Sequence, residues 1–155
     1  MNAKQTRPVE VLLAEDNDED VELTRLGFRQ SKLLVNLHRV TDGVECLAFL
    51  RKQEGYSHVC TPDLLLLDMN MPRFGGREVL AEIEKDEDLK GLPVVVLTTS
   101  EQDHEVLTMY KMGCNSYIVK PIDFDQFVKV IQGITEYWFE LVLLPKVPQA
   151  HELEG

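Results

Sequence analysis

The sequence predicts an α/β fold in which a parallel sheet of five strands carries helices on both faces. Two observations lead to this prediction. Short apolar runs alternate along the chain with stretches whose apolar residues recur at helical spacing, and such alternation is typical of parallel sheets. Several of the runs are also continuously apolar, which indicates strands that are buried on both faces.

Five segments are predicted as strands. The third, Leu64–Leu67, contains only leucine and lies between Asp63 and Asp68. The fourth is equally apolar, the fifth precedes a Lys-Pro pair, and the second is the weakest because polar residues interrupt it. In chain order the predicted strands are Val9–Ala14, Asn36–Val40, Leu64–Leu67, Pro93–Thr98 and Ser116–Val119.

Five helices are predicted to follow these strands. Asp42 is the expected N-cap of the second helix, because its carboxylate can accept a hydrogen bond from the first helical turn. The fourth helix is expected to end at Gly113, a residue that favours the backbone conformation found after a helix. The predicted helices are Asp18–Gln30, Asp42–Lys52, Arg77–Lys85, Glu101–Met112 and a last helix that runs from Asp123 to Leu144.

The composition is that of one globular domain with an acidic surface. The chain has 155 residues and a formal net charge of −11, which disfavours nucleic acids and anionic membranes as partners. No apolar stretch reaches the roughly 18 residues of a membrane span, and the N-terminus lacks the apolar run of a signal peptide. The three cysteines, Cys46, Cys60 and Cys114, match no disulfide or zinc pattern, so a cytoplasmic location is expected.

Acidic, hydroxyl and basic residues stand at the ends of four predicted strands. Glu15 and Asp16 follow the first strand and Asp68 follows the third, while Thr98 closes the fourth and Lys120 follows the fifth. Because the carboxyl ends of parallel strands lie at one edge of a sheet, these side chains are expected to meet in one crevice. Each residue alone is explained as a cap, turn or strand end, but the complete set in this order indicates a functional site.

The chemistry of this set favours a divalent cation and a phosphoryl group. Three carboxylates in one crevice repel one another unless a cation lies among them, and oxygen ligands suit Mg²⁺. Asp68 is then a candidate nucleophile that forms an acyl phosphate, with Lys120 as a positive charge and Thr98 as a hydroxyl donor toward the same oxygens. The backbone carbonyl of Asn70 is a further candidate metal ligand.

Four sequence segments resemble the response-regulator receiver family. They are LLAEDN at 12–17, LLLLDMNMP at 64–72, VVVLTTS at 94–100 and YIVKP at 117–121. The spacings from Asp68 to Thr98 and to Lys120 also agree with the family, and the resemblance extends over residues 9–134. It implies a doubly wound, flavodoxin-like receiver fold with strand order 2-1-3-4-5, here with an extended C-terminal helix.

The resemblance implies a role for each residue of the site. Asp68 would accept a phosphoryl group from a sensor histidine kinase, and Lys120 would pair with one of its oxygens. Glu15 and Asp16 would hold Mg²⁺ together with the carbonyl of Asn70. A receiver of this kind is a component of a two-component phosphorelay that catalyses only its own phosphorylation and dephosphorylation.

The resemblance also implies a conformational switch. Thr98 would bond the phosphoryl group and move toward it, and Tyr117 occupies the position of the switch aromatic, although an aromatic on a strand is more often core packing. The family often has a cis peptide bond before the proline at the position of Pro121, which a sequence cannot prove. In the loop after the phosphoacceptor, Gly75 replaces the usual acid and Gly76 keeps the flexible position, so a local change in loop stability is expected.

The C-terminal tail carries more apolar surface than a terminal helix of a monomer needs. Tyr137, Trp138 and Leu141 lie in an apolar run that continues to Leu144, and we expect this run to form the contact of a symmetric homodimer. The alternative is that the tail folds back onto its own domain.

Two longer segments resemble the small regulators that are paired with bacterial phytochrome kinases. They are REVLAEIEKDEDLKGLPVVVLTTS and GITEYWFELVLLP. This resemblance implies a phytochrome-type histidine kinase as the partner and a stand-alone receiver. The expected organisation is one receiver domain over residues 8–144 with tails at 1–7 and 145–155, and residues 133–155 are too few for a DNA-binding output module.

Four alternative functions fit the sequence less well. A phosphatase of the haloacid dehalogenase type also uses an aspartate nucleophile and Mg²⁺, but it needs a second acid where Asn70 stands. A flavodoxin needs a phosphate-binding loop after the first strand, where the acidic AEDNDED lies, and no G-x-x-x-x-G-K-[ST] motif for nucleotide hydrolysis occurs. A receiver that only binds partners, without being phosphorylated, is disfavoured by the complete set of site residues.

Overall fold

The computed structural model describes residues 7–98, 116–121 and 123–138 of the chain. None of the helices within these ranges is long and apolar enough to cross a membrane. The described elements in chain order are β1 (Val9–Ala14), α1 (Asp18–Arg29), β2 (Val35–Val40), α2 (Gly43–Leu50), β3 (Leu64–Asp68), α3 (Gly76–Lys85), β4 (Val94–Thr98), β5 (Ser116–Val119) and α4 (Phe124–Trp138).

The five strands form one parallel sheet in the order β2-β1-β3-β4-β5. The α/β fold and the strand order predicted from the sequence are therefore confirmed. Every residue of the central strand β3 is buried, whereas most residues of the edge strand β2 are half-buried or exposed. Helices on both faces of a parallel sheet leave its inner strands no solvent-facing side, which explains the unbroken leucine run of β3.

Two hydrophobic clusters cover the two faces of the sheet. Successive side chains on a strand point to opposite faces, so Leu65 and Leu67 belong to one cluster, with α2 and α3. Leu64 and Leu66 belong to the other cluster, with α1 and α4. Full burial of a leucine side chain contributes roughly 1.5–3 kcal/mol, so β3 anchors both layers and holds its carboxyl end in a fixed place.

The first two helices begin at capping side chains. Asn17 precedes α1 and accepts a hydrogen bond from the amide of Asp20 at 2.9 Å. Asp42 caps α2 in the same way at 2.8 Å, which confirms the predicted N-cap. α2 ends earlier than predicted, because Lys52 adopts a left-handed backbone conformation with a φ of 57° that a right-handed helix does not continue through.

Part of the predicted C-terminal half falls outside the described residues. The helix predicted at 101–112 lies there, as does the apolar tail after Trp138. β5 has the predicted bounds. α4 begins at Phe124, and the amide of Phe127 donates to the carbonyl of Asp123 at 3.0 Å, so Asp123 opens this helix as predicted. The extension of the domain to residue 144 stays a prediction.

The helices α1 and α4 approach each other closely at a glycine. A Cβ built at Gly27 would lie 2.5 Å from the Cβ of Ile131 and 3.2 Å from the carbonyl oxygen of Val128. Gln132 of α4 also donates from its side chain to the carbonyl of Gln30, after the end of α1, at 3.2 Å. A side chain at position 27 would therefore push the two helices apart.

We expect Gly27→Ala to lower the free energy of unfolding by about 1–3 kcal/mol, because the added methyl group overpacks the contact between α1 and α4. Gly133→Ala is the matched control on α4, where a Cβ meets nothing within 4 Å. Replacing this exposed helical glycine should stabilise the protein by up to about 1 kcal/mol. Urea unfolding followed by circular dichroism measures both variants, and a Gly27→Ala protein as stable as the wild type would contradict the close contact.

Candidate functional site

The predicted site residues meet at the carboxyl edge of the sheet. β3 ends at Asp68 and the neighbouring β4 ends at Thr98. Lys120 follows β5, and its amide donates to the carbonyl of Thr98 at 2.7 Å. Glu15 follows β1, and its amide donates to the carbonyl of Val40 at 3.0 Å. The ladder hydrogen bonds of the sheet therefore fix the backbone from which each of these side chains starts.

Three carboxylates form an acidic cluster at this edge. Glu15, Asp16 and Asp68 each offer one oxygen atom, and the three atoms lie within 4.8 Å of one another. Glu15 is 1% exposed and Asp68 is 2% exposed, whereas Asp16 is exposed. Burying two carboxylates is costly without a counter-charge, and converging oxygen donors suit a hard divalent cation such as Mg²⁺. The residues present therefore fit the metal that the sequence predicts.

Lys120 lies among the carboxylates. Its Nζ donates to Oε1 of Glu15 at 2.7 Å and to Oδ2 of Asp20 at 2.8 Å, and it lies 3.5 Å from Oδ1 of Asp68. Burial alone would lower the pKa of Lys120, but the hydrogen bonds to Asp20 and Glu15 and the charge of Asp68 raise it above its usual range. The ammonium is therefore a permanent positive charge of the site.

Burial is the main influence on the protonation of Glu15. Its burial raises its pKa above the usual range of a carboxyl group, and the Asp68 carboxylate adds to the rise. The hydrogen bond from Lys120 lowers the pKa but offsets only part of the effect. A divalent cation among these oxygens would relieve the repulsion, because it would favour the charged form of every carboxylate around it.

Arg39 of the edge strand β2 holds the loop that carries the first two acids. Its Nε donates to the carbonyl oxygen of Glu15 at 2.9 Å, and its guanidinium also donates to Oδ1 of Asp18 at 2.8 Å. The sequence analysis missed this contact, because an arginine on a polar edge strand is usually solvated. By binding the backbone, Arg39 fixes the loop whichever way the acidic side chains turn.

The loop after Asp68 is attached to the start of α2. The guanidinium of Arg73 donates to Oδ2 of Asp42 at 2.9 and 2.6 Å, and the amide of Gly43 donates to the carbonyl of Phe74 at 2.8 Å. A Cβ at Gly43 would overlap that carbonyl oxygen, so this approach needs glycine. Arg73 itself has a φ of 66°, a value that is uncommon for a residue with a side chain.

Asn70 and the two glycines occupy the same loop. The amide of Asn70 donates to Oδ1 of Asp68 at 3.3 Å, which orients the carboxylate, while the use of the Asn70 carbonyl as a metal ligand stays a prediction. Gly75 is the N-cap of α3 and has no side chain to cap it; its amide donates to the carboxylate of Glu78 at 3.1 Å instead. Position 76 needs glycine because of the close packing there, since a Cβ at this position would overlap Met69, the residue after Asp68.

The two residues of the predicted switch lie on neighbouring strands. Thr98 is 1% exposed at the end of β4. Tyr117 of β5 is paired in register with Val96 and packs, half-buried, against the cluster formed with α2 and α3. Its side chain thus contributes to the core, and its role in switching stays a prediction.

No peptide bond between described residues is cis, so the bond before Pro121 is trans, unlike the cis bond that the family often has.

Comparison with known protein families shows which family the chain resembles. The sequence model of the response regulator receiver domain matches residues 11–132 of the chain. The chain belongs to this family. Response regulator Rcp1 of Synechocystis sp. is 39% identical over 145 residues, which are 94% of this chain and 99% of that protein.

Two solved structures agree with this assignment. The phosphorylated cyanobacterial phytochrome response regulator RcpA superimposes with a TM-score of 0.84 and 38% identity, covering 90% of this chain and all of that one. The Mn²⁺-bound form of Rcp1 superimposes with a TM-score of 0.82 and 40% identity over the same shares. The predicted family is therefore confirmed: the protein is a response regulator of a two-component phosphorelay, which implies a histidine kinase as partner, and it is not an enzyme in the usual sense.

We expect Asp42→Ala to lower the free energy of unfolding at pH 7 by about 1–2 kcal/mol, because it removes the N-cap of α2 and the partner of Arg73. Burial raises the pKa of Asp42, but hydrogen bonds from the backbone of Glu45 and from Arg73 outweigh burial and hold the pKa below its ordinary value of 3.8. A group with a depressed pKa contributes stability that is complete above the unfolded pKa and is lost as the pH falls through the folded pKa.

The difference in stability between wild type and Asp42→Ala should therefore shrink as the pH falls below about 4. Urea unfolding at pH 7 and at a series of lower pH values measures it. Asp42→Asn is the control and should cost less, since it keeps an oxygen that caps the helix. A difference that stays constant down to pH 3 would show that the charge of Asp42 contributes nothing.

Proposed function

We propose that this protein accepts a phosphoryl group from a phytochrome-type histidine kinase onto Asp68 in a reaction that depends on Mg²⁺. The observation that supports this most directly is the setting of the Asp68 carboxylate, which is buried, 3.5 Å from Nζ of Lys120 and clustered with Glu15 and Asp16. A nucleophile, a set of metal donors and a permanent positive charge thus share one crevice.

The transfer uses the residues of this crevice in distinct roles. A carboxylate oxygen of Asp68 attacks the phosphorus of the kinase phosphohistidine in line with the P–N bond. That bond breaks, its electron pair returns to the imidazole nitrogen, and the product is an acyl phosphate. Lys120 pairs with a phosphoryl oxygen and Thr98 donates its hydroxyl to another, so the charge of the transferring group meets fixed partners.

Glu15, Asp16 and Asp68, together with the carbonyl of Asn70, hold Mg²⁺ in this proposal. The bound ion supplies positive charge opposite the transferring phosphoryl oxygens. The closeness of the three carboxylates supports the assignment. A divalent cation is also present in the solved structure of the relative Rcp1, where it is Mn²⁺, an ion that prefers the same oxygen ligands.

Two further parts of the proposal are the type of kinase and the cellular compartment. The relatives support the type of kinase, and the free cysteines support the compartment. RcpA, which is 38% identical, is a cyanobacterial phytochrome response regulator, so a phytochrome-type kinase, bacterial or cyanobacterial, is the donor in this proposal. Cys46 is buried and free, and Cys60 is exposed and free. Free thiols suit the reducing cytoplasm, where the catalytic part of such kinases would meet the protein.

The proposal includes a switch and a homodimer. The switch couples movement of Thr98 toward the phosphoryl group to a rotamer change of Tyr117, which lies on the adjacent strand. The dimer forms through the C-terminal apolar run with Tyr137, Trp138 and Leu141. The side chains of Tyr137 and Trp138 and the whole of Leu141 lie outside the described residues, so this part is supported by the apolar sequence alone.

Incubation of the protein with acetyl phosphate and Mg²⁺ should add one phosphoryl group, seen by intact mass spectrometry. Asp68→Asn should show no addition, because an amide does not form the acyl phosphate, and EDTA should prevent the reaction of the wild type. Asp88→Asn is the control, since it removes an equal charge from an exposed residue after α3, and it should react like the wild type. Addition to Asp68→Asn would place the acceptor elsewhere.

The same variants test the kinase. A phytochrome-type histidine kinase that carries labelled phosphohistidine should transfer the label to wild type and Asp88→Asn within seconds to minutes, and not to Asp68→Asn. A histidine kinase of another sensory class should transfer it at least about tenfold more slowly, the order of discrimination that about 1.4 kcal/mol of interface energy supplies. Equal rates from both kinases would remove the phytochrome assignment and leave the receiver chemistry intact.

Analytical ultracentrifugation should show a dimer of the wild type at micromolar concentration and a monomer of Leu141→Glu, because a buried charge opposes an apolar contact. Phe124→Ala is the control at the start of α4, where Phe124 is exposed, and it should remain dimeric. If phosphorylation tunes dimerisation, phosphorylated and unmodified protein differ in mass at some concentration. A wild type that is monomeric throughout would favour the tail folding back onto its own domain.

A further inference from the structure

Asp20 contacts the ammonium group of Lys120, although the sequence analysis did not include Asp20 in the site. Oδ2 of Asp20 accepts a hydrogen bond from Nζ of Lys120 at 2.8 Å, and the Asp20 side chain is 23% exposed. Its backbone is held on both sides, because its amide donates to Asn17 at 2.9 Å and its carbonyl accepts from the hydroxyl of Thr24 at 2.8 Å. The first turn of α1 thus presents this carboxylate at a fixed place.

We propose that Asp20 is a positioning residue that shares Lys120 with Glu15 and so keeps the ammonium from closing onto Asp68. This inference rests on the proposed function, since it concerns how Asp68 stays available to Mg²⁺ and to the phosphoryl donor. Asp20 is not a metal ligand in this proposal and acts only through Lys120.

Nζ of Lys120 lies closer to Glu15 and Asp20 than to Asp68. A lysine ammonium has three N–H donors, and two of them make short hydrogen bonds, at 2.7 Å to Glu15 and 2.8 Å to Asp20. The contact to Asp68 is longer, at 3.5 Å, beyond the usual range of a hydrogen bond. The ammonium is therefore drawn toward α1 and β1 and away from the proposed nucleophile.

Asp20 matters because it is the partner of Lys120 that lies outside the proposed metal-binding set. Without its charge, the carboxylates left within reach are those of Glu15 and Asp68, and both are needed by the cation. Attraction between buried charges is strong, so the ammonium would then close onto Asp68 and compete with Mg²⁺ for the same oxygens. With Asp20 present, the ammonium keeps a charged partner while Glu15 and Asp68 bind the ion.

Asp20 is one of three acids in the first turn of α1, and all three interact favourably with the helix dipole. A role limited to that dipole would make Asp20 equivalent to its exposed neighbour Glu19, which supplies the control.

Mg²⁺ affinity of the full chain, measured by isothermal titration calorimetry without a phosphodonor, tests the proposal. Asp20→Asn keeps an oxygen that accepts a hydrogen bond but loses the charge, and we expect its dissociation constant for Mg²⁺ to rise about five- to tenfold, a typical coupling within one ionic network. Glu19→Gln removes an equal charge from the same turn and should change the constant by less than about twofold. Asp20→Glu should restore most of the affinity. Circular dichroism verifies that each variant is folded.

A double-mutant cycle with Lys120→Met separates action through Lys120 from a direct electrostatic effect on the cation. If Asp20 acts through Lys120, Asp20→Asn changes Mg²⁺ affinity much less in the Lys120→Met background than in the wild type. An equal change in both backgrounds would overturn the proposal, because it would show that Asp20 attracts the cation directly.

Phosphorylation by acetyl phosphate gives a second readout. In Asp20→Asn the Mg²⁺ concentration for half-maximal rate should rise by the same factor as the dissociation constant, while the rate at saturating Mg²⁺ stays within about twofold of the wild type. A lower rate at saturating Mg²⁺ with unchanged affinity would contradict the proposal. A wild type that binds no Mg²⁺ refutes the metal-dependent function and this inference with it, whereas wild-type affinity in Asp20→Asn refutes the inference alone.

Discussion

The burial of the central strand β3 is the constraint on which the site depends. β3 places four leucines in the two hydrophobic layers and ends in Asp68, which is buried with them. A carboxylate at that depth needs a positive charge nearby, and Lys120 at the end of β5 is held there by a backbone hydrogen bond to the end of β4. The pairing order of the strands thus decides which charges meet, and the chemistry of the crevice follows from the packing of the sheet.

Residues outside the reacting set hold the two loops that form the crevice. Arg39 binds the backbone of the loop after β1, and the pair of Arg73 with Asp42 attaches the loop after β3 to α2. Both contacts use an arginine that bonds to oxygens at the sheet's carboxyl edge, and both connect elements far apart in the sequence. The acidic side chains themselves repel one another, so their closeness depends on interactions made elsewhere in the two loops.

The regular elements and the acids that follow the strands could be predicted because each has a local signal. The leucine run marks β3, Asp42 marks the start of α2, and strand ends mark Asp68 and Lys120. The predicted end of α2 lies too far along the chain. The helix stops because Lys52 adopts a left-handed conformation, and no glycine or proline at this position indicates that conformation in the sequence. Asp20 was not distinguished from its acidic neighbours, since a run of acids at a helix start does not show which one faces the site.

The sequence by itself determined the fold class, the receiver family and the acids, hydroxyl and lysine that stand at the strand ends. The fold class follows from the periodicity of apolar residues, and the family follows from the resemblance of four short segments to known receivers. The tertiary structure alone decided that Lys120 binds Glu15 and Asp20 more closely than Asp68, and that Arg39 and Arg73 hold the loops. Such choices depend on distances of a few ångströms between residues far apart in the chain, and the energy of an ion pair changes with those distances and with burial.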